Sequence, residues 1–199
     1  MTGAVSTDAP VAAVRHRAFT IEHASPQHFA ALDAAGRPAG WARLHLWPQL
    51  PAAAEQCLDL TRFAAHYQRP FAYVSMFTMP AAARGGDLAT ELLRATIHAA
   101  QRAPHGAEIA FFHCHPRLEP LYTRMGCRGF GAPSLDARRG VVVPMFVLGG
   151  DQAHFAACGS PLRTTARHYP LAPERKRELL ALLGHARGAA TPAAAGTFG

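Results

Sequence analysis

Arg84, Gly85 and Gly86 stand where the chain could hold an anion. They lie within MFTMPAAARGGDLATELL, residues 76–93, which passes from an apolar run through Pro80 and a small-residue loop into a segment with helical periodicity. A loop that opens a helix leaves backbone N–H groups unpaired and pointing outward, and the helix dipole adds partial positive charge there. Two glycines let the main chain come close to a ligand, and the arginine adds a fixed charge. The chemistry would be phosphate binding. Taken alone, the fragment is equally an ordinary turn between two core elements.

His113, Cys114 and His115, with Cys127, are metal-ligating types. Alternation along a strand sends neighbouring side chains to different faces, and no second ligand pair lies nearby, so no metal is expected. Cys57, Cys114, Cys127 and Cys158 form no CxxC pair and are expected as reduced thiols.

Elements must position these residues. Residues 71–79, FAYVSMFTM, are aromatic and β-branched and stop at Pro80, which predicts a buried strand. Leu88, Leu92, Ala95 and Ala99 follow at helical spacing. Residues 107–115 read as the next strand, and PRLEPLYTRMG as a short helix opened by Pro116 and closed by Gly126. Upstream, strands near 29–32 and 41–46 flank a turn at Ala35-Gly36-Arg37-Pro38, and a helix follows through Leu58, Leu60 and Phe63. Downstream come the strand GVVVPMFVL and helices in DQAHFAAC and PERKRELLALLGHA. This order predicts an α/β or α+β layer with a mixed sheet.

The chain has 199 residues, 49% of them hydrophobic, enough for one domain with a real core, expected over residues 13–187. The small-residue ends, 1–12 and 188–199, are expected to be disordered. No apolar stretch approaches the roughly 18 residues of a membrane span, and the N-terminus lacks a signal-peptide pattern, so a cytoplasmic location is expected. The net charge of +7 favours a polyanionic partner. Its basic residues are scattered, so nucleic acid is not the expected one. The charge then reads first as an Ala/Arg composition bias, with a phosphorylated cofactor or an acidic carrier protein as the alternatives.

Two motifs carry a family resemblance. Arg84-Gly85-Gly86-Asp87-Leu88-Ala89 resembles the acyl-CoA loop of the GNAT acetyltransferase family, Arg/Gln-x-x-Gly-x-Gly/Ala, at its first and last positions. HPRLEPLYTRMGCRGFG resembles that family's NxxAxxLYxxxGF segment, with Tyr122 and Gly126 matching and His115 where Asn is usual. The resemblance covers roughly residues 29–148. It implies a mixed, mostly antiparallel central sheet flanked by helices on both faces. It also implies an N-acyltransferase that moves an acyl group from acyl-CoA, or an acyl-phosphopantetheine on a carrier protein, to a primary amine on a small molecule, amino acid or peptide. A non-catalytic module that binds acyl-CoA or docks a partner is the alternative.

The same resemblance implies residue roles. The loop residues, together with Thr90, would hold the donor phosphate, and Phe77 to Met79 would run along the pantetheine arm and hold the oxyanion. Tyr122 would protonate the departing thiolate, a task suited to a phenol near its ordinary pKa of about 10. Strand 71–79 has no acid to act as base, so one of His113 and His115 is expected to face the acceptor, with His115 the candidate. Asp87 departs from the usual glycine. It is expected as an N-cap turned onto its own backbone; otherwise it disfavours a pyrophosphate and favours the single phosphodiester of an acyl carrier protein. Later segments resemble the branch near N-acyl amino acid synthases and acyl-homoserine-lactone synthases. Ser75 is kept, but Met76 replaces an arginine, which argues against a lactone synthase. Met76, Phe77, Met79, Phe111, Phe112 and Met145 either line an acyl tunnel or belong to the core.

Overall fold

The computed structural model describes residues 14–16, 19–25, 28–52, 54, 58, 60–80, 87–103 and 106–188. Its strands are β1 (Val14–His16), β2 (Phe19–Ser25), β3 (His28–Asp33), β4 (Pro38–Leu46), β5 (Ala72–Thr78), β6 (Ile109–Cys114), β7 (Arg128–Gly129), β8 (Ser134–Asp136) and β9 (Gly140–Leu148). Its helices are α1 (Leu60–His66), α2 (Leu88–Arg102), α3 (Glu119–Arg124), α4 (Gln152–Ala157), α5 (Arg163–Ala166) and α6 (Pro173–Gly188), with a 3-10 turn at Pro116–Leu118 leading into α3. The expected disorder at 1–12 and 189–199 lies outside the described residues. Gly188, expected in the tail, closes α6 instead.

The strand order is β1-β2-β3-β4-β5-β6-β9-β7, with β8 also on β9. Among the described strands only β5 and β6 pair in parallel, and α2 is their crossover, as a parallel pair requires. The β3–β4 turn is held by Asp33, whose Oδ1 accepts the N–H groups of Ala35 and Arg37, each at 2.9 Å. Pro38, expected in the turn, opens β4.

Strand alternation divides the core in two. On one face Val74, Ala110, Phe112, Val143 and Met145 pack with Leu92 and Ile97 of α2, and with Phe155 of α4 and Ala166 of α5. On the other, Tyr73, Phe111 and Phe146 pack with Phe63 of α1 and with Leu179 and Leu183 of α6. Edge-to-face aromatic pairs fill this second face, including Phe63–Phe111 at 5.0 Å and Phe111–Phe130 at 4.9 Å between ring centroids. The sheet is mixed, mostly antiparallel and covered by helices on both faces, as the resemblance implied.

One buried carboxylate ties the late elements together. Asp151, after β9, accepts from Arg128 of β7 at 2.7 Å and from Lys176 of α6 at 2.8 Å. Burial opposes its charge, but the hydrogen bond from Lys176 leads the contributions that hold its pKa below the usual carboxylate value.

Gly126 ends α3 in the left-handed region, φ +92°, and donates to the Thr123 carbonyl at 2.9 Å. A Cβ there would lie 2.3 Å from Cδ1 of Phe155, a fully buried ring. Left-handed strain and overpacking add, so Gly126→Ala should lower unfolding free energy by about 2 to 4 kcal/mol. Urea denaturation checks this; a loss below half a kilocalorie would mean that α3 is not seated on Phe155 as described.

Candidate functional site

The site follows from where β5 and β6 stop pairing. Their ladder consists of Ala72 opposite Ala110 and Tyr73 opposite Phe111. Beyond it the strands part, and a cavity of about 310 Å³ opens between their ends. A bulge in β5 sets the divergence. Trp41 of β4 pairs with Thr78 and Arg43 with Ser75, so β5 carries one extra residue in that interval. Met76, in the bulge, adopts φ +52° and is half exposed. This conformation is uncommon for a bulky side chain, and it turns the strand away from its neighbour.

Tyr122 stands on the cavity wall. Helix α3 places it 6% exposed, its ring 4.8 Å from that of Phe112 and 6.1 Å from that of Phe77, centroid to centroid. Burial pushes its pKa far above the ordinary phenol value. The expectation of a phenol near pKa 10 is therefore corrected: Tyr122 stays protonated at every physiological pH.

Both histidines line the cavity. The expectation that only one would face the acceptor is corrected: the gap between the parted strands takes side chains from both faces of β6, so Phe112, His113, Cys114 and His115 all line it. His115 lies just past β6, and its Nδ1 accepts the Arg117 N–H at 3.2 Å, capping the 3-10 turn. That bond occupies one ring nitrogen of the expected base. His113 contacts the Tyr73 hydroxyl through Nδ1 at 3.0 Å and Arg139 through Nε2. Burial and the neighbouring Arg139 charge hold its pKa below the ordinary histidine value. Cys114 also reaches the cavity; burial raises its pKa to about 11, and its thiol lies 3.5 Å from the Met145 sulfur.

The other expected residues divide. Phe77 lines the cavity, whereas Met79 packs against the core beside it. Of the proposed tunnel residues, Met76, Phe77 and Phe112 reach the cavity. Phe111 faces the opposite core and Met145 is fully buried in the sheet centre, because alternation and the β9 pairing place them there. Arg84, Gly85 and Gly86 lie outside the described residues. Asp87 occupies the N-cap of α2, but its side chain makes no capping hydrogen bond, contrary to expectation. The first bond of α2 runs from the Glu91 N–H to the Asp87 carbonyl, so the N–H groups of Leu88, Ala89 and Thr90 precede the ladder. Leu88 and Ala89 point their side chains into the core. They can offer a ligand only main chain.

Sequence reasoning missed His45, Tyr73 and Arg139. His45 pairs across the ladder with Tyr73, and its Nε2 lies 2.8 Å from the Ser75 hydroxyl on the cavity wall. Alternation in β4 could have flagged it. Arg139 sits in the β8–β9 turn, where no local signal announces a partner at residue 113. Among the described residues no group of three His, Cys, Asp or Glu side chains could hold a metal, and no helix is long and apolar enough to cross a membrane.

Burial, then the charges of Arg43 and His28, lowers the His45 pKa to about 4. The folded state therefore keeps this ring neutral, while the unfolded chain protonates below its ordinary value near 6.5. Stability from His45 is present above pH 6.5 and declines as pH falls towards 4. Between pH 7 and 4.5 that loss is about 2 to 3 kcal/mol. His45→Gln, which keeps a partner for Ser75, should remove that share of the acid sensitivity in urea melts; parallel curves for the two proteins would sink the assignment.

Comparison with known proteins fits this geometry. A family model described as acetyltransferase (GNAT) family matches residues 4–127. FeeM, an N-acyl amino acid synthase from uncultured soil microbes, shares the fold at a TM-score of 0.55 and 13% identity, over 75% of each chain. TofI in its apo form aligns over 68% of this chain and 73% of its own, at 22% identity and a TM-score of 0.47. A chain of the NatC complex bound to Gag peptide and CoA aligns over 61% and 70%, at 16% identity and 0.45. No curated protein matches the chain by sequence.

Proposed function

The chain belongs to the acetyltransferase (GNAT) family, and from that membership we propose that it transfers an acyl group from a phosphopantetheine thioester to a primary amine by direct attack. The observation that carries the reading is the wedge between β5 and β6 with Tyr122 on its wall. A pantetheine arm fits such a wedge as an added strand, since the separated strand edges have backbone groups to offer. The amine nitrogen attacks the thioester carbonyl and a C–N bond forms. Backbone N–H groups past the Met76 bulge, near Phe77 and Thr78, receive the oxyanion. The C–S bond then breaks, the sulfur takes the Tyr122 proton, and the second amine proton returns to the phenolate. So reluctant a phenol donates only while that return is available, which couples the two transfers.

The donor we favour is an acyl carrier protein. Arg84, Gly85 and Gly86 would take the phosphate with the main chain of Asp87, Leu88, Ala89 and Thr90 at the start of α2. The Asp87 carboxylate is exposed there and does not cap its own helix. It repels a pyrophosphate more than one phosphodiester, and the chain's net charge of +7 suits an acidic carrier.

Thiol release from decanoyl-CoA and decanoyl-carrier protein, with a panel of amines, tests the reading. Tyr122→Phe should cut kcat by about a hundredfold or more with little change in KM. Asp87→Asn should raise kcat/KM for the CoA thioester several-fold and leave the carrier substrate nearly unchanged. Full activity in Tyr122→Phe would remove the tyrosine from the mechanism. Equal use of both donors, unaltered by Asp87→Asn, would remove the carrier preference.

A further inference from the structure

The acceptor side of the cavity has an electrostatic asymmetry that the transfer reaction alone does not explain. Arg139 reaches the cavity from the β8–β9 turn, and no Asp or Glu is among the lining residues. An amine arrives largely as ammonium at neutral pH, yet nothing anionic on that wall receives it. The fixed charge present has the opposite preference. Asp136, the acid of this turn, is not among the lining residues: its Oδ1 accepts the N–H groups of Arg138 and Arg139, each at 2.8 Å, and its charge acts on Arg139 and His113 from outside the cavity, where it cannot contact the ammonium.

The Arg139–His113 contact specifies more. A guanidinium has no acceptor, so Arg139 donates to His113 Nε2, and that nitrogen carries a lone pair. A neutral imidazole then has its proton on Nδ1, which donates to the Tyr73 oxygen at 3.0 Å. Tyr73 is fully buried and fixes the ring from behind. The cavity thus presents a lone pair and a guanidinium side by side, the lone pair covered by the guanidinium.

Resting on the acyltransferase reading, we infer that Arg139 is the acceptor's anchor and that the acceptor is an amine bearing a carboxylate. The carboxylate draws Arg139 into a charge-assisted pair, and this uncovers His113 Nε2 beside the bound ammonium. One ammonium proton passes to Nε2 and on to solvent; the amine left behind carries the lone pair that attacks. Arg139 is a specificity residue, and His113 is the base that its movement exposes. An amine without an anionic group leaves the guanidinium on the histidine and stays protonated.

The test compares each of a panel of amino acids with its primary amide, using decanoyl-carrier protein and decanoyl-CoA as donors. The wild type should prefer acid to amide by at least about tenfold in kcat/KM, as expected for one charge-assisted pair. Arg139→Gln should erase the preference chiefly through KM, and Arg139→Lys should keep part of it. His113→Ala should lose about a hundredfold in kcat, partly restored by added imidazole. Acids and amides used alike by the wild type, or a preference untouched in Arg139→Gln, would overturn the inference while leaving acyl transfer standing. A binding arm separates the two readings if no donor turns over. Calorimetry with N-decanoyl-phenylalanine and its amide should show Arg139-dependent preference for the acid, and equal binding of the two would refute it.

Discussion

The parallel contact between β5 and β6 is two residue pairs long, and the geometry of the site depends on its brevity. A longer ladder would close the wedge; a missing one would leave the two halves of the sheet unjoined. The bulge at Met76 enforces the limit by adding a residue to β5 opposite β4, so β5 turns while its pairing with β4 resumes at Thr78. Backbone groups that a regular sheet would spend on its neighbour become available to something else. The side-chain chemistry, from Tyr122 to His113, is arranged around that one interruption.

Rigidity on either side makes the interruption tolerable. The aromatic face around Phe111 holds the root of the wedge, where rings from α1, Phe71 just before β5, β6 and the segment after β7 meet edge to face. Asp151 anchors the far end by joining Arg128 to Lys176. Arg128 lies two residues past Gly126, so this buried ion pair also holds the exit of the helix that carries Tyr122. Breaking such a pair by removing one partner leaves a buried charge uncompensated. The placement of the tyrosine therefore depends on contacts on both sides of its short helix.

The sequence made the periodic elements legible and left the irregular ones hidden. Leu88, Leu92, Ala95 and Ala99 announced α2, and the run around Phe111 announced β6, because burial on one or both faces writes itself into spacing. Tyr122 and Gly126 were readable as a helix with its stop. β7, only two residues long, and α5, only four, are too short to carry a period. Asp87 was misread since an aspartate before a helix normally caps it, and here its side chain does not. His115 was legible as polar and near the site, but its capping bond depends on the turn at Pro116. Arg139 and His113 are 26 residues apart. Their meeting depends on the turn between β8 and β9, which folds Arg139 back over the end of β6, and no local pattern encodes that.

Cys114 gives the cavity a second, less welcome nucleophile. A thiolate beside a bound thioester would capture the acyl group by exchange and leave the enzyme acylated on the wrong atom. Its pKa near 11, against 9 for the free side chain, reduces the thiolate fraction at neutral pH by about a hundredfold. Packing beside the Met145 sulfur keeps the thiol in an apolar setting where charge is disfavoured. Under the mechanism proposed above, the burial that shapes the cavity would also guard it against self-acylation, and fidelity towards the external amine would be partly a property of the core.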